Sequence, residues 1–102
     1  MSRRAFLIHI HEGMAEEYKR RHEEIWPEVK DALKANGVFN YSIFLQGHTL
    51  FAYMEMEGDF EQGFRKLHQD PASIRWREFM EDIIVRDENF GFQFLEEVFH
   101  MD

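Results

Sequence analysis

Two runs of β-branched and aromatic residues, Val38 to Leu45 and Leu50 to Met56, are joined by Gln46-Gly47-His48. A glycine-containing loop this short lets the chain do little except reverse on itself, so the two runs are expected to pair antiparallel as a hairpin. Everything else in the chain has to be arranged around that pair. Because successive strand side chains alternate, Phe39, Tyr41, Ile43 and Leu45 are expected on one face of the first strand. Leu50, Ala52, Met54 and Met56 are expected on one face of the second.

The flanking segments have their own signatures. Ala5-Phe6-Leu7-Ile8-His9-Ile10 is a short β-rich run that His11-Glu12-Gly13 ends in a turn. From Met14 to Asn36 the apolar residues Met14, Tyr18, Ile25, Val29 and Leu33 fall at helical spacing, and Gly37 follows as a stop. Pro27 removes a backbone donor within that stretch, which predicts a kink or a fresh helix start near Ile25-Trp26. Asp59 is a suitable N-cap for a helix through Leu67, and Asp70-Pro71 restarts a second helical piece ending near Arg86. Phe92 to Met101 supplies a final strand. The order is β-α-β-β-α-β, an α+β pattern of the ferredoxin-like kind: one antiparallel sheet with helices on one face.

At 102 residues the chain has the size of one compact domain, residues 1–102, and buries roughly two-thirds of its unfolded surface. Eleven Phe, two Trp and three Tyr are many rings for such a chain to hide, and the sheet leaves one face without helices. A homodimer is the expected remedy. A net charge of −8, with no basic run longer than Lys19-Arg20-Arg21, argues against nucleic acid and anionic membranes as partners. With no cysteine there is no disulfide, thiolate metal site or thiol nucleophile. The N-terminal apolar stretch is short and broken by His9 and His11, so a cytoplasmic protein without a membrane span is expected.

Among residues able to do chemistry, Tyr18, His22 and Trp26 recur every four positions and would line one stripe of the first helix. His22 is the best acid/base candidate, because an imidazole with an ordinary pKa near 6.5 can give or take a proton at neutral pH. From spacing alone the commoner fate of such a histidine is packing or ion pairing beside Glu23 and Glu24 on a solvated helix face. His9 and His11 sit two apart, but two side chains do not make a metal site, and no metal is expected. His48, His68 and His100, the last in the closing strand, have no partner at fixed spacing and receive no role. Tyr41 could fill the core or offer its hydroxyl to a ligand. Trp76, between Arg75 and Arg77, could pack under stacked arginines or present its face to a sugar ring, with arginine donors for hydroxyl oxygens. Glycine-rich phosphate loops, serine elbows and His-Glu-x-x-His pairs are absent.

Arg4-Ala5-Phe6, Glu17-Tyr18-x-x-Arg21-His22-x-x-Ile25-Trp26-Pro27-Glu28, Asn40-Tyr41-Ser42-Ile43-Phe44, Arg75-Trp76 and Glu97-Val98-Phe99-His100-Met101-Asp102 together resemble the L-rhamnose mutarotase family. The resemblance implies a ferredoxin-like dimer, of the dimeric α/β-barrel type, that interconverts the α and β anomers of L-rhamnose without cofactor or metal. It implies His22 as proton donor, with Tyr18, Tyr41, Trp76 and Arg77 contacting the monosaccharide. Three departures stand out: Arg77 where the family has a second tryptophan, Phe39 where a histidine is usual, and no Asn-Ser-Pro segment within Val85 to Phe92. These touch the choice of sugar, L-rhamnose or a related neutral or 6-deoxy sugar, more than proton transfer. Two other functions fit the architecture: a non-catalytic small-molecule binding module and a cofactor-free monooxygenase-like enzyme, the latter disfavoured by the polar Tyr/His/Arg set.

Overall fold

The computed structural model describes residues 1–86 and 91–102. β1 (Ser2–His9) leads through a turn into α1 (Ala15–Glu23) and α2 (Pro27–Ala35). The hairpin follows as β2 (Val38–Gln46) and β3 (Thr49–Met56), then α3 (Phe60–Gln69), α4 (Pro71–Phe79) and β4 (Gln93–Leu95). The four strands form one sheet in the order β2-β3-β1-β4, with every neighbouring pair antiparallel. This is the expected ferredoxin-like arrangement, with two helices in each connection between the strand pairs.

Local chemistry explains the splits. Trp26 precedes a proline and is held extended, at φ −65° and ψ 136°, while Pro27 itself occupies the first turn of α2, where its missing N–H costs nothing. A fresh helix therefore starts, as one of the two expected outcomes. The Asp59 carboxylate accepts from the Gln62 amide at 2.9 Å to cap α3, and Asp70 accepts from the Ala72 amide at 2.9 Å to cap α4. Gly37, at φ +85°, stops α2 in a conformation that a side chain would strain.

The inner face of the sheet is the floor of the core. Phe6 and Ile8 of β1 and Leu50, Ala52, Met54 and Met56 of β3 are all buried there, as the alternation predicts. The helices cover that face with Val29, Ala32, Phe60, Leu67 and Ala72, and Met80 and Ile83 close one end. Among the described residues no helix covers the outer face. Phe44 stands 65 % exposed there, opposite Phe51 in the β2–β3 register at 39 %.

Three expectations need correction. Phe39 does not share a face with Tyr41, because Phe39 pairs with Glu55 but Ser42 already pairs with Tyr53, so β2 carries an extra residue. Asn40 takes up that bulge at φ +46°, with its side-chain amide donating to Glu55 at 2.7 Å. As a result Val38 and Tyr41 both turn inward. The second helical piece ends at Phe79 rather than near Arg86, the chain turning through Met80–Ile83. The closing strand is three residues long rather than ten, and Val98, Phe99 and His100 lie beyond it, exposed and unpaired in strand terms. Part of the Val85 to Phe92 departure falls on 87–90, outside the described residues. No described helix is long and apolar enough to cross a membrane.

Candidate active site

A cavity of about 460 Å³ lies between the inner face of the sheet and the four helices. Tyr18, His22, Tyr41, Trp76 and Arg77, the five residues singled out in the sequence, all line it. Ile8, Ile43 and Met54 form its floor, and Val29 and Leu33 of α2 make one wall. The surface is therefore mostly apolar with a few polar groups, the usual make-up of a small-molecule site.

α1 presents the central pair. Tyr18 and His22 are four residues apart, so their rings stack at 4.1 Å between centroids and 23° between planes. His22 Nδ1 lies 3.2 Å from the Tyr18 carbonyl oxygen. A carbonyl only accepts, so Nδ1 carries the hydrogen and Nε2 is the basic nitrogen of the neutral ring. Burial pushes the His22 pKa below its ordinary value, partly offset by that same hydrogen bond. Burial also pushes the Tyr18 and Tyr41 phenols up, so both hold their protons at neutral pH.

Trp26 leaves the stripe because the chain breaks before it. It does not line the cavity but stands behind it, its ring edge-on to Trp76 at 5.0 Å and tilted against Phe79 at 5.1 Å. Trp76 in turn meets the His22 ring edge-on at 5.4 Å. Trp76 is thus wedged by aromatic rings. Arg75 is exposed, while Arg77 reaches into the cavity wall and donates to the His68 carbonyl at 3.1 Å.

A clamp holds α1 against the far end of α4. The Arg21 side chain, 12 % exposed, donates to Glu17 at 2.8 Å, to the Phe79 carbonyl at 2.7 Å and to Asp82 at 2.9 and 3.2 Å. Its guanidinium also lies 4.5 Å above the Phe79 ring. Arg20 and Arg21 together hold the Glu17 carboxyl down at about 2. The helix bearing His22 and the helix bearing Trp76 are set relative to one another by this bidentate arginine.

His68 was passed over in the sequence and lines the same cavity. A signal for it existed: Phe64-x-x-x-His68 repeats the spacing of Tyr18-x-x-x-His22. The other histidines are elsewhere. His9 ends β1 and meets Gln93 at 3.2 Å and Thr49 at 3.3 Å, whereas His11 lies beyond the strand, so the two do not share a strand face. His100 pairs with Asp102 at 2.7 Å. Among the described residues no three His, Asp or Glu side chains gather as a metal site.

The family model described as L-rhamnose mutarotase matches residues 3–101. A Bacillus subtilis protein named L-rhamnose mutarotase is 41 % identical, the match covering all of both chains. The crystal structure of an L-rhamnose mutarotase from Formosa agariphila superposes with a TM-score of 0.83 at 36 % identity, again over all of both chains. A Pseudomonas aeruginosa structure, at a TM-score of 0.60 and 12 % identity over 94 % of this chain and 92 % of that one, shares the fold alone.

Proposed function

The chain belongs to the L-rhamnose mutarotase family of carbohydrate isomerases, and we propose that it speeds the exchange of α and β anomers of L-rhamnose or a related neutral or 6-deoxy sugar, His22 delivering the proton. The observation that carries this reading is the convergence of Tyr18, His22, Tyr41, Trp76 and Arg77 on one cavity.

Anomer exchange opens the pyranose and closes it again. A proton goes to the ring oxygen as the C1–O5 bond breaks, and the anomeric hydroxyl loses its proton as C1 becomes a carbonyl. Rotation about C1–C2 and the reverse transfers close the other anomer. His22 fits the first transfer, its geometry fixed by stacking and by the Tyr18 carbonyl. The Tyr18 and Tyr41 hydroxyls, which keep their protons, are hydrogen-bond partners for sugar oxygens. The apolar floor suits the methyl and C–H faces of a 6-deoxy sugar. Because the reaction already proceeds in water, orientation and one or two proton transfers are enough to accelerate it.

The experiment is anomer exchange on L-rhamnose, L-fucose and related sugars, read by saturation-transfer NMR with and without enzyme. Acceleration by the wild type and its loss in His22→Ala support the reading. Sugar binding with unchanged exchange would instead make this a binding module.

Association of two copies through the outer sheet face belongs to the same reading, supported by the outward Phe44, Phe51 and Leu95 and the exposed Val98 and Phe99. Sedimentation at micromolar concentration should give twice the chain mass, and a monomer would contradict it. The reading also carries a cytoplasmic setting, which cell fractionation tests.

A further inference from the structure

His68 reproduces the setting of His22 from another helix. Its ring lies against Phe64, four residues earlier, at 4.2 Å between centroids and tilted by 50°, where the His22 ring stacks on Tyr18 at 4.1 Å and 23°. Its Nδ1 lies 2.9 Å from the Phe64 carbonyl, as that of His22 lies 3.2 Å from the Tyr18 carbonyl. Both neutral rings therefore carry hydrogen on Nδ1 and a lone pair on Nε2. α1 and α3 follow β1 and β3, adjacent strands at the centre of the sheet, and both rings line the one cavity.

Anomer exchange needs a donor at one oxygen and an acceptor at another. Among the described residues no Asp or Glu lines the cavity. Lys30 reaches it from α2 and Arg77 from α4, but these are donors without a lone pair to receive a proton. Tyr18 of α1 and Tyr41 of β2 hold their protons. Glu23 lines a neighbouring pocket that shares Tyr18, His22 and Ile43, but not the cavity that holds His68, so with His22 giving a proton the acceptor left in this cavity is the imidazole of α3.

We propose that His68 is a second catalytic residue, the general base for the anomeric hydroxyl, acting opposite His22 as the acid on the ring oxygen. This inference rests on the mutarotase reading above. In opening, His68 Nε2 takes the O1 proton, the O1–H pair becomes the C1=O1 π bond, and the C1–O5 pair leaves onto O5, which takes the proton from His22. In closure O5–H returns its proton to His22, O5 attacks the other face of C1, and O1 takes the proton from His68. Both histidines end as they began, and no other reactant is needed.

Charge placement favours that assignment of roles. Burial pushes both imidazoles below their ordinary pKa, and for His68 the neighbouring Arg77 cation pushes the same way. The backbone hydrogen bonds to the Tyr18 and Phe64 carbonyls offset that burial at both rings, and the Arg77 cation acts on His68 alone.

The test is the pH dependence of kcat/KM for L-rhamnose exchange, corrected for the uncatalysed rate. The wild type should show two limbs, falling at low pH as His68 protonates and at higher pH as His22 loses its proton. His68→Gln should lower kcat about 100-fold or more, the low end of what a general base contributes, with KM changed much less, and should erase the acid limb. Added imidazole should restore part of the rate to His68→Ala. A wild-type profile with one limb overturns the proposal without any variant. So does His68→Gln with an unchanged kcat and both limbs intact. Failure of the mutarotase reading itself looks different: the wild type then accelerates no sugar.

Discussion

Gly63 is the position where two general rules pull in opposite directions and the structure decides between them. It lies within α3, where replacing glycine by alanine ordinarily gains about 1 kcal/mol in helix propensity. A Cβ built there would fall on the Met56 sulfur, with Met56 Cγ at 3.3 Å and Cε at 3.5 Å. Met56 is fully buried, and carbons on both sides of the sulfur crowd the same spot, so the side chain has no free direction in which to swing. Overpacking of this kind costs about 1–3 kcal/mol, and the completeness of the overlap places Gly63→Ala toward the upper end. The net is a loss of about 1–2 kcal/mol, a fall in Tm of about 5–15 °C for a chain of this length. A thermal melt followed by circular dichroism measures it. In a Met56→Ala background the obstruction is gone, and Gly63→Ala should become stabilising by up to about 1 kcal/mol. A rise in Tm for Gly63→Ala alone, or the same effect in both backgrounds, would refute the reasoning.

Stability should also depend on pH through the two cavity histidines. Both pKa values are lowered by folding, so on acidification the unfolded chain binds protons first, and unfolding free energy should decline as pH falls below about 6.5, a slope that denaturant titrations would find reduced in the His22→Gln/His68→Gln double variant. The carboxyls of Glu17, Asp82 and Glu97 are shifted down by arginine partners, so their contribution persists to lower pH and vanishes only in the acid range; two separate declines in one titration series are expected. Arg21→Met should release α1 from the turn after α4, speeding hydrogen exchange in both segments and raising KM, with protection unchanged in β1 and β3. Arg77→Trp exchanges a guanidinium for a second stacking plane, and the ratio of kcat/KM among L-rhamnose and other sugars should change by more than kcat for L-rhamnose alone.

What the sequence disclosed were features set by a few neighbouring residues. Asp59 and Asp70 cap their helices, Pro27 begins one, and the Gly47 turn closes the hairpin, because each effect acts within about four residues. Features that need a partner strand were not readable. The bulge at Asn40 is defined only by what β3 places opposite it, and the alternation from Phe92 to Met101 resembles a strand although just Gln93–Leu95 find a neighbour in β1. Recognition of the site followed the same division. Tyr18 and His22 were legible as an i,i+4 pair, Tyr41 and Trp76 with its flanking arginines were legible only as candidates with a packing alternative, and the family resemblance turned them into expected sugar contacts. Trp26 was misplaced on their stripe because the helix restarts at Pro27. His68 gained meaning only when packing brought α3 over the same cavity as α1.

The central claim is that the cavity around His22 exchanges sugar anomers by proton transfer. Its most direct test is the saturation-transfer exchange rate of L-rhamnose at neutral pH for the wild type and for His22→Gln, with sugar binding measured in parallel. The account predicts acceleration by the wild type and its loss in the variant while binding persists. Equal exchange rates for the two proteins would contradict it.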